Sequence, residues 1–374
     1  MSPEFWHLPG PARYIEKIRH DLLDCKNALA ILSPLTPEGL YDELQRGIES
    51  GGTGFYWQQL YDRPDHRPPA VWLASHFGVE LPTSAGPCEF HSIEGVMGMV
   101  VVVTELPTDP GILRRWGTFI EQYAQICRSD GGPMSPRFLL QWPFEGELPE
   151  SDLRLTLHPW GGTLDSTDIG LYAAHLLRRK GHTPFNRLIM VALATKLSGG
   201  DPILCRTLCK LNLTELLEPF QVLADYARSR GWGDTTPLSA QKGTLVDLDG
   251  ESREHPALMA VQGKEKELGA LIWSAQVGVL LPFIEERRQE IVEQIGKYLF
   301  VPNDLPHYQK VESVNELEIG NIHYQLANYP NPVSKPIKDV VWRLKALRNS
   351  LSHRKPVPAA RFDEIMIRAL TRGL

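Results

Sequence analysis

Near the end of the chain an arginine, an asparagine and a histidine stand close together in Arg348-Asn349-Ser350-Leu351-Ser352-His353. Cleaving RNA without a metal takes a group that accepts the 2′-hydroxyl proton, a group that protonates the leaving 5′-oxygen, and positive charge on the phosphorane. Histidine titrates near neutrality and serves as base or acid. Arginine offers a rigid fork of donors to phosphate oxygens and keeps its charge. Asn349 lies four residues before His353 and so shares its face of a helix, placed to hydrogen-bond the imidazole or touch the phosphate. Arg348 and His353 are five apart, about 140° around a helix. One chain therefore does not turn both squarely to one phosphate.

The element that carries these residues is a helix from Lys335 to His353. Val340, Val341, Leu344, Leu347 and Leu351 recur at spacings of three and four, which buries one face, and Pro356 marks the stop. A plainer role stays open. Arg348, His353, Arg354 and Lys355 in the last turns interact favourably with the negative end of the helix macrodipole, about 0.3 to 1 kcal/mol each.

An Arg-Asn, three residues and a His on such a helix resembles the signature of the HEPN superfamily. The resemblance covers 259–374 and implies a small helical bundle, metal-independent endoribonuclease activity and catalytic roles for Arg348, Asn349 and His353. It also implies pairing of two such helices across a homodimer into one composite cleft. RNA would be the substrate and no cofactor or metal is expected. Arg354, Lys355 and Arg361, with Arg368, would form a basic rim for RNA, and Glu316 and Glu318 are candidates to orient the arginine.

A net charge of -6 leaves no global positive field, so any RNA contact must be local. Hydrophobic residues make up 42% and charged ones 22%, the proportions of an ordinary globular protein. The five cysteines form no CxxC pair or zinc spacing, and Cys205 and Cys209 fit a buried helical seam. The start, Met1 to Leu8, does not read as a signal peptide, and no apolar run reaches the roughly 18 to 20 residues of a membrane helix. The expectation is a cytoplasmic protein with no membrane contact.

Before the bundle the pattern alternates. Helices are expected over 11–24, 37–48 and 113–127, and strands over 28–32, 71–75, 95–104, 137–141 and 153–157. Gly95 to Thr104, a β-branched run apolar on both faces, suits a central parallel strand. The first 165 residues thus read as an α/β domain with a mostly parallel sheet. Its layout resembles a degenerate AAA-like or STAND-type NTPase. The loop Ser33-Pro34-Leu35-Thr36-Pro37-Glu38-Gly39-Leu40 lacks the lysine and glycines of a phosphate-binding loop.

Residues 166–235 read as a helical lid, with helices over 167–179, 184–197, 202–210 and 214–230. His158-Pro159-Trp160-Gly161-Gly162, at the junction, reads as a tight turn on a buried tryptophan, or as a ligand-contact loop. The Gly- and Pro-rich 236–258 reads as a linker. Helices over 264–299, 312–327, 335–353 and 359–371 then complete an all-α bundle. Such an assembly resembles bacterial antiphage defence and toxin systems, in which an N-terminal part senses a trigger or docks other defence proteins. The alternative is a non-catalytic scaffold that dimerises or binds a partner through its bundle.

Overall fold

A computed structural model of the chain describes residues 3–51, 54–129, 132, 134–178, 181–301 and 311–362. In order the elements are α1 (Pro3–Trp6), α2 (Pro9–Leu23), β1 (Asn27–Ile31), α3 (Leu40–Glu49), β2 (Tyr56–Leu60), α4 (Pro69–His76), α5 (Pro87–His91), β3 (Met99–Val103), α6 (Pro110–Ser129), β4 (Arg137–Trp142) and β5 (Leu155–Pro159). There follow α7 (Ser166–Leu177), α8 (Pro184–Ser198), α9 (Pro202–Leu208), α10 (Leu213–Leu217), α11 (Phe220–Ser229), β6 (Leu245–Leu248), β7 (Glu251–Glu254), α12 (Pro256–Val261), α13 (Glu265–Ile295), α14 (Ile319–Asn328) and α15 (Lys335–Ser352). The expected class, an α/β domain followed by a helical bundle, is the one adopted. Two compact units form, Met1–Tyr172 with Pro237–Glu254, and Ala173–Thr236 with His255–Leu374.

The first unit is built on a five-stranded sheet of order β2-β3-β4-β1-β5, parallel throughout. Its inner strands are apolar on both faces because helices cover both. Leu29, Ile31, Val101, Val103, Phe138, Leu140 and Trp142 join a core with Trp116, Phe119 and Tyr123 of α6. The alternate residues Ala28, Ala30, Val100, Val102 and Leu139 turn to the other face, where α2 packs on β1, β4 and β5.

Two sequence expectations here are corrected. Residues 71–75 are helical, not a strand: Pro69 starts α4, and Ala70, Trp72, Leu73 and Ala74 are all buried. So short an apolar run, most of it buried, has no period to separate helix from strand. The fifth strand is instead β2, where only Leu60 is buried. An edge strand facing solvent needs no apolar alternation, and Tyr56-Trp57-Gln58-Gln59 shows none.

The stretch 236–258, expected as linker, carries the β6–β7 hairpin; Pro237–Glu254 belongs to the first unit, and the start of α12 beyond it to the second. Asp249 (φ 55°) and Gly250 (φ 77°) form its two-residue turn, both left-handed, which is the geometry Asp-Gly favours. The helices α8 to α12 share the second unit with α13 to α15.

In that second unit α13 runs from Glu265 to Ile295 with Pro282 inside it, a residue expected to kink or break a helix. The residue four before it, whose carbonyl loses its donor, is Gly278. The single helix expected over 214–230 is two, divided at Glu218-Pro219. Cys205 and Cys209 are buried, as the seam reading required. The last expected helix lies outside the described residues beyond a short 3-10 turn, Ala359–Arg361.

By length and composition, Glu265–Tyr298 qualifies to cross a membrane, although no uninterrupted apolar run signalled it. Part of it is buried in the unit: α13 packs against α8, α12 and α15, and Arg288 sits inside with 9% exposure.

Candidate functional site

Helix α15 buries the predicted stripe, Val340, Val341, Leu344, Leu347 and Leu351. Its end is held by α13. The indole N–H of Trp273 donates to the Leu351 carbonyl (2.8 Å), and the buried Gln276 clamps Val357, donating to its carbonyl (2.9 Å) and accepting from its N–H (2.7 Å). The chain on either side of the 353–355 turn is therefore fixed by side chains the motif does not contain.

Arg348 donates to Glu318 Oε2 at 2.7 Å, with 40% of the arginine side chain and 61% of the glutamate exposed. Glu318 is the N-cap residue of α14, so the pair joins α14 to α15. Of the two acids proposed to orient the arginine, Glu318 does so, whereas Glu316 accepts from the Glu312 N–H. The pair borders a cavity of about 390 Å3 that also presents Glu285 and Arg288. Arg288 donates to both Glu285 oxygens (2.9 Å from Nε) and to the carbonyls of Asn315 and Leu317. The Arg288 hydrogen bond holds the Glu285 carboxyl below its ordinary range.

Asn349 and His353 are exposed, and His353 forms the C-cap of α15, its N–H bonded to the Asn349 carbonyl (3.2 Å). Their side chains do not bond each other, so Asn349 does not orient the imidazole in a single chain. Arg348 is engaged with α14, while His353 ends the helix in solvent. The two are not brought together.

The basic rim divides. Arg354, left-handed at φ 53°, lays its guanidinium over the Trp273 ring (5.9 Å), and Arg361 donates to Ser350 Oγ (3.2 Å). Lys355 is exposed, with its backbone N–H bonded to the Ser350 carbonyl. Arg368 lies outside the described residues.

A second imidazole, missed in the sequence, faces the same helix. His323 Nδ1 on α14 lies 3.1 Å from Lys345 Nζ, one turn before Arg348. Burial, then the Lys345 charge, holds the His323 pKa down, which leaves Nδ1 an acceptor for the ammonium. No signal within a single helix announced it, because the pairing lies between helices.

A buried group of acid, imidazole and phenol in the same unit is structural. Asp201 caps α9 (2.8 Å to Ile203 N, 3.1 Å to Leu204 N), accepts from the Tyr226 hydroxyl and lies 3.5 Å from His255 Nε2. His255 Nδ1 accepts from Ala257 N (3.1 Å) to cap α12. Asp201 and His255 have no exposed surface, so no substrate reaches them.

In the first unit β1 leads leftward to β2 and β4 rightward to β5, a reversal of direction that opens a crevice at the carboxyl ends of such sheets. Here it is filled. The loop after β1 buries Leu35 against Gly243, Trp6 donates to the Glu38 carbonyl (3.3 Å), and Trp160 N–H donates to the Ile31 carbonyl (2.9 Å). Tyr41 closes on Gln141 Oε1 (2.8 Å). The loop that lacked phosphate-binding residues is thus plugged by its own side chains. Among the described residues no three of His, Cys, Asp and Glu converge as a metal-holding set. The chain matches no known protein family and no curated protein.

Proposed function

We propose that the chain is a metal-independent, HEPN-type endoribonuclease acting as a homodimer, whose first unit senses a trigger or docks a partner of a cytoplasmic antiphage-defence or toxin system. The observation that carries it is the split placement of the motif on α15. The apolar stripe is inside, Arg348 is poised on Glu318 beside a cavity, and Asn349 and His353 stand free in solvent. Such a site is incomplete in one chain, which is what a composite cleft requires. Leu281 on α13 and Trp342 on α15, 39% and 59% exposed, leave apolar surface for a second copy.

In the dimer His353 of one chain would take the 2′-hydroxyl proton as that oxygen bonds to phosphorus. Arg348 of the other would hold the phosphorane charge, released from Glu318 as phosphate takes its place. The P–O5′ bond then breaks and the departing oxygen takes the proton that the imidazole had accepted, leaving a 2′,3′-cyclic phosphate, a 5′-hydroxyl and neutral His353. The layout kinship with AAA-like or STAND-type NTPases is supported by the parallel sheet, and the plugged crevice supports a form that does not hydrolyse nucleotide. The exposed Trp342 also favours the scaffold reading, in which the same surface binds a partner without chemistry.

Incubating purified protein with end-labelled RNA in EDTA tests the proposal. The expected result is fragments ending in cyclic phosphate, lost in Arg348→Ala and His353→Ala. RNA left intact at every protein concentration and with every co-expressed partner would sink it.

A further inference from the structure

The His-Pro-Trp-Gly-Gly turn that closes β5 faces a cavity the nuclease reading does not use. This cavity, about 410 Å3, lies between the first half of α2 and residues 157–163. We propose that it binds the phosphoryl group of a small phosphate ester, a reading that stands independently of the nuclease.

Arg13 and Lys17 line it, one turn apart on the same face of α2, and no acidic side chain does. Arg13 is oriented by its Nε donating to the Pro9 carbonyl (3.1 Å), and its terminal nitrogens are left for a ligand. Neither cation forms an ion pair among the described residues. Of the nearby carboxylates, two are engaged elsewhere. Glu16 pairs with Arg19 (2.6 Å) and Asp21 with Lys26 (2.7 Å), while Asp168 sits at the cavity's edge, accepting from Gly10 N (3.0 Å) within the field of Arg13, and Asp247 Oδ2 lies 3.6 Å from where a Cβ on Gly161 would stand.

Opposite them, Thr163 N–H bonds back to the Trp160 carbonyl (3.0 Å), forming a turn with Gly161 and Gly162 at its centre. Gly162 is left-handed at φ 72° with no atom near a would-be Cβ, so the backbone is open to a ligand. The amides of Gly161 and Gly162 donate to nothing among the described residues. The turn is anchored by Trp160, 5% exposed and edge-on to Tyr14 (5.0 Å), whose hydroxyl donates to the His158 carbonyl (2.8 Å). Two cations and two free glycine amides thus line one small volume.

Size favours a soluble ester over a macromolecule. Lys17, Leu157 and His158 also line a neighbouring cavity of about 690 Å3 that presents Glu16, His20, Asp21 and Thr156, suited to hydroxyl and ring-nitrogen groups. His158 Nε2, bonded to Asp21 (3.2 Å) and Thr156 (3.1 Å), stands where the two meet.

Isothermal titration with adenosine 5′-monophosphate, inorganic phosphate and adenosine tests this on the full chain. The monophosphate should bind at least about tenfold more tightly than adenosine, and phosphate should compete with it. Arg13→Ala and Lys17→Ala should each weaken binding about tenfold or more with unchanged melting temperature. Arg13→Lys should retain part of it, and Arg46→Ala on α3 should change nothing. Equal binding of adenosine and its monophosphate, or undiminished binding by both alanine variants, would overturn the proposal. So would the absence of heat with either phosphate compound. Retention on phosphatidic acid vesicles that adenosine monophosphate does not release would assign the cations to a lipid surface instead, and also overturn it.

Discussion

Replacing Asp201 with alanine should cost the second unit about 3 to 5 kcal/mol, the range for removing one partner from a buried charged network. The figure follows from what the carboxylate does. It satisfies two amides at the start of α9, worth about 0.5 to 2 kcal/mol as a cap. It also accepts from the Tyr226 hydroxyl, a buried donor that costs about 1 to 3 kcal/mol if left without an acceptor, and it faces His255 Nε2 at 3.5 Å. Removing the charge returns part of this, since burial pushes the Asp201 pKa up; the His255 imidazole beside it and the Tyr226 hydrogen bond outweigh that and leave it below the ordinary carboxylate value. Because the folded pKa is the lower one, the stabilisation is complete above the unfolded value near 3.9 and disappears as pH falls through the folded pKa. Urea denaturation at pH 7 and pH 3 measures both effects. At pH 7 the variant should shift the midpoint with unchanged slope, equivalent to roughly 6 to 20 °C in melting temperature. Thr183→Ala, which removes a one-bond cap on α8, should cost only about 1 kcal/mol. A loss below about 1 kcal/mol for Asp201→Ala would refute the network argument.

Three further outcomes are expected. Gly199→Ala places a Cβ 2.4 Å from Pro256 Cδ at φ 59°, and should destabilise by about 1 to 3 kcal/mol in thermal unfolding. Lys345→Met removes the cation beside His323, so the imidazole should titrate at higher pH, read from its ring-proton shifts in NMR. Arg348→Ala breaks a largely exposed ion pair and should change stability by no more than about 1 kcal/mol, so that any loss of RNA cleavage is not a folding defect.

The sequence showed most where one element alone bears the pattern. The β-branched run of β3, the stripe of α15 and the cysteine seam on α9 are each periodic or uniform within a single segment, and all were legible. Elements shaped by their neighbours were not. Helix α4 has little period because most of it is buried, with only Ser75 exposed in the 71–75 run, and β2 has none because it lies at an edge. The β6–β7 hairpin did carry a readable sign, Asp249-Gly250, hidden by the loop-like composition around it. In the candidate site the motif residues were visible as a string, and Glu318 was correctly named beside Arg348. The Trp273 and Gln276 clamps and the His323–Lys345 pair join residues 22 to 81 positions apart. No spacing rule within a helix reaches across that distance.

The most direct test of the central claim, a cleft that takes Arg348 from one chain and His353 from another, is subunit mixing. Arg348→Ala and His353→Ala proteins, each inactive alone, are unfolded together, refolded as a mixture and assayed on labelled RNA. Random pairing makes half the dimers mixed, each with one intact cleft of two, so about a quarter of wild-type activity should return. Activity that stays at the level of the separate variants, while wild type treated the same way recovers fully, would contradict the composite site.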